Sequence, residues 1–209
     1  MTNVMIVEDD PMAQKLLEIF VSGNSSYQVV HTIESAAMAE FYCMTNEIDL
    51  ILMDVCTAMN VSGLVAAEKI KIRYPHIKII IITSQPECSF IDRARAAGVE
   101  SFWYKAASAE EILTVMDKTM AGESIYPDTT PSLKLGDAAS DQFSERELEV
   151  LRLVVAGETD AGIAEKLFIS IRTVKQHIQT LRDKTGFRNR TELAVRARES
   201  GLVINDRIG

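Results

Sequence analysis

Cysteine is scarce in this chain of 209 residues: only Cys43, Cys56 and Cys88 are present. Three scattered thiols make neither a disulfide framework nor a zinc site. No apolar run approaches the ~20 residues that cross a bilayer, and the opening Met1-Thr2-Asn3-Val4 lacks the basic region of a secretory signal. A cytoplasmic protein with no membrane partner is expected. Positive charge is also short over most of the chain, since residues 1–141 hold 10 Lys/Arg against 20 Asp/Glu. Such an acidic stretch is a poor partner for nucleic acid. Internal repeats and low-complexity tracts are absent.

The balance reverses over residues 142–209, with 12 Lys/Arg against 10 Asp/Glu. There Arg172, Lys175, Arg182, Lys184, Arg188 and Arg190 surround a single acid, Asp183, a local excess that suits a polyanion. The composition as a whole, 47% hydrophobic and 25% charged, is that of a globular protein able to bury one large or two modest cores.

Leu50 to Met53 form an apolar run without polar alternation, which reads as a central parallel strand covered on both faces. Asp54 then stands at the strand's carboxyl end, where open α/β sheets place their chemistry. Four more runs read as strands: Val4 to Val7, Tyr27 to Val30, Ile77 to Ile82, and Ser101 to Tyr104. Between them lie helix signals. Asp10 caps a helix with Pro11 at its first position and Met12, Leu16, Ile19 and Phe20 on its expected inner face. A second helix covers about 35–44. Leu64, Ala67 and Ile70 mark a third, stopped before Pro75. A fourth, over about 87–97, is closed by Gly98, and a capping box, Ser108 to Glu111, opens a last one ending near Gly122. Residues 1–122 are therefore expected to form a doubly wound α/β domain with a five-stranded parallel sheet.

Residues 123–141 hold two prolines and a glycine without a sustained period, and read as a linker. Residues 142–209 are expected to form a small all-α domain of four helices. Ser144 to Glu147 is a capping box opening a helix with Leu148, Leu151 and Val155 inward. A short helix spans about Asp160 to Leu167, a longer one capped by Ser170 spans Ile171 to Lys184, and Asn189 to Glu192 begins the last, with Leu193 and Ala197 on one side.

The strand ends carry the chemistry. Glu8, Asp9 and Asp54 brought together repel one another and raise each other's pKa, and a divalent cation relieves that. All-oxygen ligation by few carboxylates suits Mg2+, which suits a phosphoryl group. A carboxylate beside Mg2+ is a nucleophile that forms an aspartyl phosphate. Thr83 and Lys105, at two further strand ends, supply a hydroxyl and a cation for the new phosphoryl oxygens.

This set of residues resembles the receiver domain of bacterial two-component response regulators, a flavodoxin-like fold. The resemblance implies Asp54 as phosphoacceptor, Glu8, Asp9, Asp54 and the Cys56 carbonyl as metal ligands, and Thr83, Phe102 and Lys105 as the switch set. Two departures stand out. Thr57 and Ala58 replace the usual Met-Pro, and Gly63 comes one residue late, so the loop Val55 to Ser62 is longer than usual. Ser84 replaces a small alanine. Cys56 and Cys88 follow the third and fourth strands, which raises a redox role for the pair.

A short helix, a tight turn and a Ser-capped basic helix have the spacing of a helix-turn-helix. Together with Phe143 to Leu151, Gly157, Thr173-Val174-Lys175-Gln176-His177 and Arg190-Thr191, they resemble the LuxR-type DNA-binding domain, and the whole chain then resembles the NarL/FixJ family. Val174, Ile178 and Leu181 repeat at helical spacing and face the core. Lys175, Gln176 and Gln179 are then expected to point into a major groove, and Arg172, Thr173 and Arg190 toward phosphates. From the family, Leu193 and Ala197 are the expected dimer contacts.

The resemblance implies a transcription factor, not an enzyme beyond self-dephosphorylation. Its expected partners are a sensor histidine kinase, a double-stranded DNA operator, a second copy of the chain when phosphorylated, and RNA polymerase. An atypical regulator that binds DNA independently of phosphate is the alternative. A Mg2+-dependent phosphatase is disfavoured, because Cys56 stands where a general acid would be needed.

Overall fold

Unbroken apolar runs need cover on both faces, and the first half of the chain supplies it with helices on each side of one sheet. The computed structural model describes residues 1–203 apart from Pro86, Cys88, residues 106–110 and Thr129. It divides into two units, the first centred on residues 1–128 and the second on 130–203.

In chain order the first unit contains β1 (Thr2–Val7), α1 (Pro11–Ser22), β2 (Tyr27–Ile33), α2 (Ala39–Thr45) and β3 (Leu50–Asp54). A two-stranded hairpin follows, β4 (Cys56–Thr57) and β5 (Val61–Ser62), then α3 (Gly63–Arg73), β6 (Lys78–Thr83), α4 (Phe90–Ala96), β7 (Ser101–Tyr104) and α5 (Ile112–Met120). The main sheet is parallel, in the order β2-β1-β3-β6-β7. Val4, Ile6, Leu50, Leu52, Ile80 and Ile82 turn one face toward Leu17 and Val21 of α1 and Val115 and Met116 of α5. The alternate residues Met5, Val7, Ile51, Met53, Ile79 and Ile81 point to the other face and are wholly buried.

The expected inner face of α1 was misplaced. Leu17 and Val21 are buried, whereas Met12, Leu16, Ile19 and Phe20 are exposed. The helix carries two apolar stripes, and periodicity alone does not say which one meets the sheet. Asp10 does cap it, its carboxylate accepting from the Met12 and Ala13 amides at 2.9 and 2.7 Å. The box from Ser108 falls largely outside the described residues.

The longer loop after Asp54 is an ordered hairpin. Met59 and Asn60 at its tip take left-handed backbone angles, φ 64° and 55°. Its base is fixed by Thr57, whose hydroxyl donates to the Val61 carbonyl at 2.6 Å and accepts from the Ala36 amide at 3.0 Å. Ser35 Oγ donates to the Ala58 carbonyl at 2.9 Å. Gly63 returns the chain toward β3, donating to the Val55 carbonyl at 2.9 Å. A Cβ on Gly63 would lie 1.8 Å from the Asp54 carbonyl oxygen.

The second unit contains β8 (Lys134–Leu135), β9 (Ala138–Ala139), α6 (Glu145–Val155), α7 (Asp160–Lys166), α8 (Ile171–Thr185) and α9 (Arg190–Ser200). Leu148, Leu151, Val174, Ile178, Leu181 and Leu193 share its core. Val154, rather than the expected Val155, is the residue of α6 buried after Leu151. The capping box is as expected: Ser144 Oγ accepts from the Glu147 amide, and the Glu147 carboxylate from the Ser144 amide at 2.8 Å.

Residues 123–141 are not a bare tether. Leu135 and Ala138 are buried in the second core, and at the other end Ile125 packs on the sheet of the first unit. The Ile125 carbonyl accepts from the Phe102 amide at 2.8 Å, along the outer edge of β7. Tyr126 donates to the Val99 carbonyl at 2.7 Å, and its ring lies 4.1 Å from the Arg95 guanidinium.

Gly63→Ala is expected to lower stability to urea by about 3 kcal/mol, since backbone must move to admit the methyl group. Gly98→Ala, at φ 75° with open space around its Cα, should cost only about 1 kcal/mol. Equal losses would show that the approach of α3 to Asp54 is soft.

Candidate functional site

Where the strand order reverses, between β1 and β3, a crevice opens at the carboxyl ends of a parallel sheet. The chain places Glu8 and Asp9 just past β1 and Asp54 at the end of β3. One carboxylate oxygen from each lies within 4.8 Å of the others. Glu8 is 1% and Asp54 7% exposed, while Asp9 is open to solvent.

Lys105, just past β7, reaches into this group. Its ammonium pairs with Glu8 Oε2 and lies 3.3 Å from Asp54 Oδ2. Asp54 Oδ1 accepts from the Val55 amide at 2.8 Å. Thr83 ends β6 with its side chain fully buried, and its carbonyl accepts from the Lys105 amide at 2.9 Å. Burial pushes the Asp54 carboxyl up to about 7, with the Lys105 ammonium pulling it down and the Glu8 carboxylate adding to the rise. The donors are all oxygens and mostly carboxylates, a set that fits Mg2+ rather than a softer metal. Phe102 is buried, its ring centroid 4.9 Å from that of Tyr104. Cys56 is half-buried and Ser84 exposed. Cys88 lies outside the described residues.

In the second unit α7 and α8 form a helix-turn-helix. Ser170 caps α8, its hydroxyl accepting from the Thr173 amide at 3.0 Å. Val174, Ile178 and Leu181 are buried, which turns Arg172, Lys175, Gln176 and Gln179 to solvent.

Residues 4–117 match the family model for the response regulator receiver domain, and residues 141–197 that for bacterial regulatory proteins of the luxR family. The chain belongs to the response regulators. Response regulator protein VraR of Staphylococcus aureus (strain Mu3) is 31% identical over 207 residues, which is 96% of this chain and 98% of VraR. A structure of two RcsB dimers bound to two parallel DNAs shares 19% identity at a TM-score of 0.62, covering 93% of this chain and 97% of that one. RcsB from Salmonella enterica serovar Typhimurium, bound to promoter P1flhDC with the phosphomimetic BeF3-, gives 0.63 at 19% identity, covering 97% and 99%. At such identity the likeness to RcsB establishes a common fold.

The side-chain geometry bears unevenly on the roles expected in the second unit of this response regulator. Leu193 and Ala197 are each 0% exposed, packed in the core of their own unit, so neither side chain is left to contact a second copy. Their helical spacing marked the core face of α9, and the outer face carries Val195 and Arg196. Arg190, expected at a phosphate, pairs with Asp160 at 2.6 Å and donates to the Glu158 carbonyl, tying α9 to α7. Gln179 is exposed but held on its own helix, donating to Asp183 at 2.7 Å and accepting from Arg182 at 3.1 Å. Thr173 is half-buried, its hydroxyl 2.8 Å from that of Ser170.

Sequence reasoning also overcounted the basic cluster. Lys184 is bound to Glu147 at 2.8 Å and to the Gln142 carbonyl at 2.8 Å. Burial opposes the charge on Glu147, but hydrogen bonds from Lys184 and Ser144 hold its pKa below the usual value. Arg182 donates to the carbonyls of Phe187 and Arg188, closing the turn after α8. Three of the six cations therefore hold the scaffold, and Arg172, Lys175 and Arg188 form the exposed remainder.

The raised pKa of Asp54 has a definite sign. An ordinary carboxyl near 3.8 carried to about 7 makes the folded state bind the extra proton between those values. Stability should therefore fall as pH rises through that window and level off above it. Unfolding of Asp54→Asn is expected to lack this fall, so its advantage over the parent grows from pH 4 to 7 to on the order of a few kcal/mol. A constant difference across the window would show that Asp54 titrates normally.

Proposed function

We propose that this response regulator is a phosphorylation-switched transcription factor acting in the cytoplasm, with Asp54 accepting a phosphoryl group from a sensor histidine kinase. The observation that carries this reading is the Asp54 carboxylate, buried at the sheet's switch point, 3.3 Å from the Lys105 ammonium and beside two further acids. Glu8, Asp9, Asp54 and the Cys56 carbonyl would hold Mg2+, which would neutralise charge on the phosphoryl oxygens.

In the transfer an Asp54 carboxylate oxygen attacks phosphorus, the O–P bond forms, and the P–N bond to the kinase's histidine breaks; with its other ring nitrogen protonated, the histidine leaves as neutral imidazole. Lys105 offsets the charge brought by the phosphoryl group, and the Thr83 hydroxyl donates to one of its oxygens. Burial keeps water from the acyl phosphate. Engagement of the already buried Thr83 hydroxyl by the phosphoryl group, with Phe102 repacking nearby, biases the receiver toward a second state, and a switch acts only by favouring one state over another.

In the second unit Lys175 and Gln176 read base edges in the major groove and Arg172 binds phosphate. Two copies on two half-sites, meeting through the outer face of α9, complete the reading, with operator DNA and RNA polymerase as partners.

Incubation with Mg2+ and acetyl phosphate should add one phosphoryl group, found on the Asp54 peptide, and shift sedimentation from monomer to dimer. Duplex DNA selected from a random pool by the treated protein should then bind about tenfold more tightly than before treatment. Asp54→Ala should abolish the adduct and the gain while leaving basal binding intact. Absence of an adduct at saturating Mg2+ would refute the switch and leave a regulator that binds DNA independently of phosphate.

A further inference from the structure

Among the described residues, five helices are followed by a glycine in the left-handed region: Gly98, Gly122, Gly157, Gly186 and Gly201. At the end of α7 the same place is taken by Phe168, with φ 53°. A bulky side chain is disfavoured there, because its Cβ crowds the following carbonyl. The turn does not need the ring. Its backbone is set by the Phe168 amide on the Glu165 carbonyl at 3.3 Å, the Ile169 amide on the Ala164 carbonyl at 3.0 Å, and Arg146 on the Leu167 carbonyl at 2.6 Å. Nor does the core use it, since Phe168 is 94% exposed. This residue costs the fold both strain and an apolar surface in water, and such a local cost points to a use elsewhere.

Its place narrows that use. Phe168 lies in the turn of the helix-turn-helix, two residues before the cap of α8 and four before Arg172. In such motifs the first helix crosses the DNA backbone and the start of the second contacts bases, so the turn rides on the groove wall. Half-exposed Ile171 comes three residues later, and exposed Arg172 and Lys175 follow. Two apolar side chains bordered by cations are far too small a patch for a stable protein interface. They match the groove wall, where sugar rings and thymine methyls sit between phosphates.

We propose that Phe168, together with Ile171, is an apolar DNA contact that packs on the deoxyribose and thymine-methyl surface next to the bases read by α8. This inference rests on the reading of the second unit as DNA-binding and goes beyond the residues assigned there. It requires that fold stability and DNA affinity move in opposite directions when the ring is removed.

The test uses the full chain treated with Mg2+ and acetyl phosphate, and a fluorescein-labelled duplex selected from a random pool by the unaltered protein. Phe168→Gly is expected to raise Tm by about 3 °C and weaken binding about tenfold, with the dependence of affinity on salt unchanged, because no counterion is released at an apolar contact. Arg172→Ala should instead lower the salt slope by about one. Phe168→Leu, which keeps apolar bulk, should stay within about threefold of the parent. Binding by Phe168→Gly equal to the parent's would overturn the inference, as would a loss of affinity that comes with a fall in Tm. A change in dimer mass without a change in DNA affinity would assign the ring to a second copy and also overturn it. If the unaltered protein enriches no duplex, the DNA-binding reading fails first and the inference with it.

Discussion

A carboxylate taken out of water costs several kcal/mol unless something compensates it, and the first unit is built around compensating one. Asp54 ends the most buried strand of the sheet, and Lys105 arrives from two strands away to meet it. The pairing works only if β3, β6 and β7 keep their register, because the Lys105 amide is itself fixed on the Thr83 carbonyl. Hydrophobic layers on both faces of the sheet hold that register. The same layers keep the carboxylate dry, which raises its pKa and sharpens every charge interaction around it. Core and site are in this sense one construction.

Charge in the second unit is divided between two tasks. Buried or half-buried pairs, Glu147 with Lys184 and Asp160 with Arg190, fix helices to one another. Arg182 satisfies carbonyls at the end of α8, where the helix leaves acceptors without partners. Of the cations left over, Arg172 and Lys175 stand on the outward side of α8 and Arg188 in the turn after it. A net charge of small size therefore understates how strongly that one surface attracts a polyanion, while a count of all six basic residues overstates it.

Much of this was legible in the sequence. Leu50 to Met53 and Ile79 to Ile82 announce buried parallel strands because nothing polar interrupts them. Helix starts at Asp10, Ser144, Ser170 and Asn189 follow from side chains that accept from the backbone two or three residues on. Spacing along strands and caps was enough to bring Glu8, Asp9, Asp54, Thr83 and Lys105 to one end of the sheet. What failed was the choice between faces. Met12, Leu16, Ile19 and Phe20 have a helical period as good as that of Leu17 and Val21, and Leu193 with Ala197 marks a buried stripe without saying what buries it. Ion pairs between distant segments, such as Arg190 with Asp160, leave no local signal. Neither does the hairpin at residues 134–139, whose strands are two residues long and too short for any period.

The segment that follows α5 bears on how this chain can be divided. Every open sheet has edges that offer unsatisfied amides and carbonyls to any passing strand. On β7 that edge is closed by Ile125 and Tyr126, which lie past the last helix of the receiver. A fragment cut at Gly122, where helix periodicity ends, would bare a hydrophobic edge next to Phe102 and invite edge-to-edge self-association. One cut after Asp128 would keep its own cover. The chemical end of the receiver thus lies several residues beyond its last helix, and solubility, rather than activity, is the property that would reveal it.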